Sequence, residues 1–193
     1  LDKDVGTINR FIGNISPSFK IIKGLVYKLN FGIDNSNGVR DIQGLSSASP
    51  PRDGRLDTYL NYNRNTLIEN YLTYNWVKAK HNVSALAGHS FQKFNIQGRN
   101  FSINKFPVGG VEPIYNPGVG QELTLVNNRP GGYAVVNEQQ SFFGRVTYQY
   151  NSKYLATVNF RADGSSKFGE NNKYGYFPSF SLGWKISEEE FLK

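Results

Sequence analysis

Short and long connections alternate without exception along this chain, and the segments between them have a period of two. In GLVYKLNFGID the odd positions Leu25, Tyr27, Leu29, Phe31 and Ile33 are apolar. In QSFFGRVTYQY the even positions Phe142, Val146, Tyr148 and Tyr150 are apolar, against Arg145, Thr147 and Gln149. KYLATVNFRAD sets Tyr154, Ala156, Val158, Phe160 and Ala162 against Thr157, Asn159, Arg161 and Asp163. YFPSFSLGWKI sets Pro178, Phe180, Leu182, Trp184 and Ile186 against Ser179, Ser181, Gly183 and Lys185. One polar and one apolar face mark half-buried strands. TLIENYLTYNWVK and HNVSALAGHSF fit with one exception each, Asn70 and His89. INRFIGNISPSFKI carries Pro17 in mid-run, where a ladder donor is lost. The expected fold is all-β, an antiparallel meander of about seven strands.

Tight turns are expected at Lys23-Gly24, in KAKH, and at Asn151-Ser152-Lys153. The other connections read as long loops, 36–65, 95–140 and 164–175. Such loops are uncommon in compact domains, and placing them at every second connection suits an outer-membrane barrel with short periplasmic turns. Mean hydropathy is −0.49, and no stretch approaches the length of a transmembrane helix; barrel strands need only about 9–11 residues with alternate ones apolar. The rival architecture is a soluble, secreted β-sandwich that binds carbohydrate through its long loops.

The chain has no cysteine and two histidines, which excludes disulfides and thiolate chemistry and argues against a histidine metal site. No nucleophile–base arrangement or phosphate-binding motif is present, so no enzyme, catalytic residue, metal or cofactor is expected. The net charge of +7 is spread along the chain, within strands on the side away from the aromatic residues, which argues against nucleic acid. Asp163-Gly164-Ser165-Ser166 with Glu170 offers oxygens but lacks the spacing of a calcium loop, and Asp-Gly is first a turn signal. Arg161 and Asp163, two apart on one face, are expected to pair. Ser187 and Glu190 read as the capping box of a short helical turn. Phe101, Phe106, Tyr115 and Tyr133 lie among Gly and Pro and are candidate loop contacts for a sugar or peptide. Arg145, Asn159, Arg161, Asp163 and Lys185 are candidate lumen-facing residues.

Residues 161–191, RADGSSKFGENNKYGYFPSFSLGWKISEEEF, resemble a signature of the SusC/RagA family of TonB-dependent outer-membrane transporters, typical of Bacteroidetes. Arg161, Asp163, Gly164, Ser165, Ser166, Phe168, Gly169, Asn171, Asn172, Gly175, Phe177, Pro178, Ser179, Ser181, Gly183, Trp184 and Ile186 all fall on it. LIENYLTYNW, HNVSALAGHSFQKF and FFGRVTYQYNSKYLATVNF are also similar, so the resemblance covers most of 60–193. It implies a 22-stranded barrel plugged by an N-terminal domain. It also implies a location in the outer membrane, among its lipids, and TonB-driven uptake of oligosaccharides or peptides with a SusD-like lipoprotein. On that footing residues 1–193 are a partial TonB-dependent receptor β-barrel domain, without plug or C-terminal closing strand. Tyr174 and Tyr176 would stand in one aromatic girdle and Trp184 in the other.

Overall fold

The computed structural model describes residues 2–121, 124, 126 and 128–192. Ten strands follow in order: β1 Lys3–Ile15, β2 Ser18–Ile22, β3 Leu25–Gly44, β4 Ser47–Ala48, β5 Pro51–Arg52, β6 Gly54–Lys78, β7 His81–Phe106, β8 Gly131–Tyr150, β9 Tyr154–Ser165 and β10 Tyr174–Trp184. Single 3-10 turns lie at Pro117–Val119, Ile186–Glu188 and Glu190–Leu192. One sheet runs β1-β3-β6-β7-β8-β9-β10, with β2 also on β3, while β4 and β5 form a separate hairpin. Among the described residues no helix is long and apolar enough to cross a membrane.

The meander is as expected, and the split of its first strand has a local cause. Proline lacks an N–H, so the run breaks at Ser16-Pro17 into β1 and β2; the Pro17 carbonyl still accepts from the Leu29 N–H at 3.1 Å. The sandwich alternative is overturned, because it needs a second sheet packed on the first. Here the strands of the meander form one sheet, and Phe180 and Leu182 of β10 are each 78% exposed.

The loop expected at 36–65 is mostly strand, and strand takes up both ends of the one expected at 95–140. β3 runs on to Gly44 and β6 starts at Gly54, while β7 reaches Phe106 and β8 starts at Gly131. With 20, 25 and 26 residues, β3, β6 and β7 far exceed the roughly 9–11 that cross a bilayer. Their extensions alternate only in short stretches, such as Leu56, Leu60 and Tyr62 against Asp57, Asn61 and Asn63, among Gly and polar residues that read as loop. Connections still alternate in length, with 45–53, 107–130 and 166–173 as the long ones.

The chain divides into two compact units, each described by itself: Leu1–Ile12, Asp34–Asn65 and Phe94–Val136; and Gly13–Ile33, Thr66–Lys93 and Asn137–Lys193. In the first, polar cross-strand pairs take the place of apolar alternation. Arg10 donates to Asp34 through Nε and Nη2 at 2.8 and 2.7 Å, and Arg40 pairs with Asp4. The Thr58 hydroxyl donates to Asp41 and the Ser102 hydroxyl to Asp57, both at 2.6 Å. Oppositely charged and hydroxyl pairs across strands each contribute a few tenths to about 1 kcal/mol. Leu56 and Phe106 are the core of this unit, and residues 107–121 fold back on it through Lys3–Glu112 and the Ile114 N–H to Gln43 Oε1 at 3.1 Å.

In the second unit the register assigns the faces. β8 and β9 pair Val146↔Val158, Tyr148↔Ala156 and Tyr150↔Tyr154, and β9 and β10 pair Val158↔Phe180, Ala156↔Leu182 and Tyr154↔Trp184, which makes one apolar face. The intervening pairs, Arg145↔Asn159, Thr147↔Thr157, Asn159↔Ser179 and Thr157↔Ser181, make the polar face. The hairpins are closed by residues of positive φ. Asn151 and Ser152 take φ of 49° and 57°, the type I′ pattern that matches strand twist, and the Lys153 N–H closes the turn on the Tyr150 carbonyl at 3.0 Å. Gly24 takes φ of 85°, and a Cβ there would run into the Asn75 carbonyl. Gly24→Ala is therefore expected to cost at least about 1–2 kcal/mol, the left-handed penalty alone. Urea unfolding of the detergent-solubilised protein checks this; an unchanged midpoint would refute the strained turn.

Candidate functional site

The polar face of the second unit holds a connected set of side chains. The Arg161 guanidinium reaches Asp163 through Nε, at 2.7 Å to Oδ1 and 2.8 Å to Oδ2, and Nη2 donates to the Ser141 hydroxyl at 3.2 Å. The expected pair is thus formed, and the carboxylate oxygens otherwise free to hold a cation are bonded to Arg161. The guanidinium carbon also lies 5.4 Å from the Phe143 ring centroid, within cation–π range. Phe143 in turn sits 5.7 Å from Tyr71, and it lies flat because Gly88 has no Cβ to collide with it.

Beside this cluster runs a second ladder of hydrogen bonds. Arg145 Nε donates to Asn159 Oδ1 at 2.6 Å, and Asn159 Nδ2 donates to the Ser179 hydroxyl at 3.1 Å. A cleft of about 530 Å³ opens here, lined by Phe143, Arg145, Asn159, Arg161, Phe177 and Ser179. Two phenyl rings with amide, hydroxyl and guanidinium groups between them can stack on a ring and hydrogen-bond its substituents. A second groove on strands of the same unit contains Asn14, Lys28, Asn30, Glu69 and Tyr71. There Asn14 donates to Asn30 and Asn30 to Glu69, both at 2.7 Å.

The structure brings together four of the five residues first assigned to one lining face: Arg145, Asn159, Arg161 and Asp163. Lys185 is not among them on a strand. β10 ends at Trp184, and Lys185 starts the Ile186–Glu188 turn, its N–H donating to the Lys153 carbonyl at 2.8 Å.

The four aromatic residues assigned to loops need a larger correction. Phe101 and Phe106 are on β7 and Tyr133 on β8, because those strands run beyond their apolar alternation. Phe106 is 4% exposed and packs its own unit, so no solute can reach it. Tyr133 keeps an exposed ring that lies over Gly98. Tyr115 alone is in a loop; it is 71% exposed, with the Lys3 ammonium 5.2 Å from its ring centroid.

The motif of 161–191 folds its own connection. The Ser165 hydroxyl accepts from the Lys167 N–H at 3.2 Å, and the Ser166 hydroxyl accepts from the Glu138 N–H at 2.8 Å. The Ser166 N–H donates to the Glu138 carbonyl at 2.9 Å, and Asn172 closes a turn on Gly169 at 3.0 Å. Gly164 faces both Gln140 and Tyr174 in the register. A Cβ on it would lie 2.7 Å from the Tyr174 ring. Without one, the ring crosses β9, and its hydroxyl donates to Gln140 Oε1 at 2.9 Å. Gln140 then reaches the His89 Nε2 at 3.0 Å. His89 and Gln140 thus form a polar chain with Tyr174 across four strands, and His89, the exception in its alternation, gains a partner. Tyr176 stacks 6.2 Å from Phe160.

At the other end of β9, the Glu189 carboxylate accepts from Lys153 Nζ at 3.0 Å, the Tyr154 hydroxyl at 2.9 Å and Trp184 Nε1 at 3.1 Å. The capping-box reading is overturned: the cap of Ile186–Glu188 is Lys185, Ser187 lies inside that turn, and no side chain caps it. Three consecutive glutamates do not say which one meets the preceding hairpin. Lys153 above all, then Tyr154 and Trp184, hold the Glu189 carboxyl below its ordinary value of 4.5.

No family model matches the chain. It is 37% identical to TonB-dependent receptor P3 of Formosa agariphila over 184 residues, covering 93% of this chain and 18% of that protein. It is 52% identical to TonB-dependent receptor SusC of Bacteroides thetaiotaomicron over 61 residues, which are 32% of this chain and 6% of that protein. Its fold superposes on the solved structure of the RagAB peptide transporter with a TM-score of 0.87, covering all of this chain and 21% of that one at 21% identity. The chain thus spans about a fifth of the length of the relatives it matches along its whole extent. One antiparallel meander with an apolar and a polar face is wall of a transmembrane β-barrel of the TonB-dependent receptor class. Within that class, the chain belongs to the SusC type.

A lowered carboxyl contributes stability above its ordinary value and loses it as pH falls through the lowered one. Docking of residues 186–192 is therefore expected to hold from neutral pH down to about 4.5 and to loosen below it, with Glu189→Gln weaker at neutral pH and flat through the acid range. Trp184 fluorescence through an acid titration reads this; the same titration in wild type and E189Q would exclude the contact.

Proposed function

We propose that the protein carrying this chain imports nutrient oligosaccharides or peptides across the outer membrane, energised through TonB and assisted by a SusD-like lipoprotein. The observation that carries this reading is the division of the second unit into an apolar face and a polar one with an aromatic-flanked cleft. The apolar face, with Val158, Phe180 and Leu182, faces lipid in this reading, and Arg145, Asn159, Arg161 and Asp163 face the lumen.

Depth supports the reading. From Tyr154 to Gly164, β9 climbs about 33 Å at about 3.3 Å per residue. At the tilt of about 40° common in outer-membrane barrels this is about 25 Å across the bilayer, the height of their apolar band. Aromatic groups stand at both limits: Tyr150, Tyr154 and Trp184 at one, Tyr174 and Tyr176 at the other. The cleft of Phe143 and Phe177 with amide and hydroxyl donors favours a sugar ring, and a peptide backbone offers the same groups fewer flat apolar faces. Tyr115 and Tyr133 are proposed as substrate contacts.

Orientation is testable by single cysteines in the intact protein in cells, labelled with an impermeant maleimide. Cysteines at Ser49 and Tyr115 are expected to react from outside, and those at Ala79 and Ser152 to remain unlabelled; the opposite pattern would reverse the topology. For the activity, uptake of labelled oligosaccharides and peptides is compared in cells with and without the gene, with and without a protonophore. Loss of uptake of one class on both deletion and uncoupling is expected and names the substrate. Uptake of both classes unaffected by deletion would overturn the importer.

A further inference from the structure

We propose that a cleft on the first unit, separate from the polar cleft described above, is a binding site for a sugar phosphate. It has a volume of about 450 Å³ and is lined by Tyr62 and Arg64 of β6 and Asn95, Gln97 and Arg99 of β7. That volume is in the range of small-ligand sites. The other strand and hairpin arginines of this unit are committed elsewhere: Arg10 to Asp34, Arg40 to Asp4, Arg52 to Asp2 and Arg55 to Asp57. Arg64 and Arg99 have no carboxylate at ion-pair distance among the described residues, yet both line one cleft. Two like guanidinium charges lining one cleft disfavour it empty, and an anion between them reverses the sign of that interaction.

The two groups stand on the side away from the ion-pair ladder. The Asn61 side chain and the position a Gly38 Cβ would occupy lie 4.0 Å apart, and the Gly98 position meets the Tyr133 ring. Successive strand residues point to opposite faces, so 62 and 64, and 97 and 99, project the other way.

The chemistry selects the ligand class. A phosphate monoester carries about −1.5 to −2 charges at neutral pH, which matches two guanidinium groups, and its oxygens suit bidentate forks. A carboxylate would satisfy one fork and leave the second unmatched. Asn95, Gln97 and the Tyr62 hydroxyl supply donors and acceptors for sugar hydroxyls, with the tyrosine ring as a flat apolar surface. A phosphorylated glycolipid headgroup and a free sugar phosphate both present this chemistry.

The test uses the full-length protein in detergent, with native mass spectrometry as readout. The probes are a bisphosphorylated glucosamine-disaccharide lipid, its dephosphorylated form, and the deacylated bisphosphorylated disaccharide. The phosphorylated lipid is expected to bind and its dephosphorylated form to bind at least about tenfold more weakly. R64Q/R99Q should lose the same tenfold, and R64K/R99K, which keeps the charge without the forks, should fall between. Both side chains are exposed, so the variants should fold, and heat-modifiable gel mobility verifies that. If the deacylated disaccharide binds with the same arginine dependence and affinity, the ligand is a soluble sugar phosphate. If only the acylated form does, it is a membrane glycolipid. Equal binding of phosphorylated and dephosphorylated lipid, or equal binding by wild type and a folded R64Q/R99Q, overturns the site. The importer reading stands or falls separately, on the uptake measurement.

Discussion

The constraint on which the rest depends is that a backbone crossing a bilayer must satisfy its own N–H and C=O groups. Lipid offers no replacement for water, so strands can cross only when each is paired with a neighbour. The register through β8, β9 and β10 is unbroken over the paired residues. Once it is fixed, the period of two decides everything about the faces. Val158, Phe180 and Leu182 fall on one side, the one proposed to meet lipid, and the other is free to carry charge. The polar side then needs internal pairing, which Arg161–Asp163 and Arg145–Asn159–Ser179 supply.

Two kinds of strand stabilisation are found in the two units. In the second, apolar alternation and aromatic stacking accompany the ladder. In the first, ion pairs and hydroxyl–carboxylate pairs such as Arg10–Asp34 and Thr58–Asp41 accompany it. A polar strand surface in water gains little from burial, so cross-strand pairs set its details. The arginines left out of that pairing, Arg64 and Arg99, therefore stand out against a background in which their neighbours are neutralised.

Much of the fold was legible in particular residues. Asn151-Ser152 and Lys23-Gly24 announced tight turns, because a two-residue hairpin or a left-handed position accepts few residue types. Arg161 and Asp163, two apart on one strand, could be paired without knowing any neighbour. The stretch SNGVRDIQG could not be recognised as strand, since nothing in it alternates. Phe101, Phe106 and Tyr133 were assigned to loops because Gly and Pro surround them. Glu189 was hidden among three glutamates, and its selection rests on how the turn at 186–188 lies against Lys153.

The sequence alone determined what depends on local rules: the all-β class, the order of short and long connections, the two-faced strands and the ion pair at 161 and 163. It also carried the SusC-type motif from Arg161 onward. The tertiary structure decided whatever depends on cross-strand register: how far β3, β6 and β7 extend, that Tyr174 crosses Gly164 to reach Gln140 and His89, and that Arg64 and Arg99 share one cleft. Residues 89, 140 and 174 have no local relation. They meet because pairing in a sheet fixes neighbours by hydrogen bonds between strands, and the chain between those strands leaves no trace of that alignment in its own periodicity.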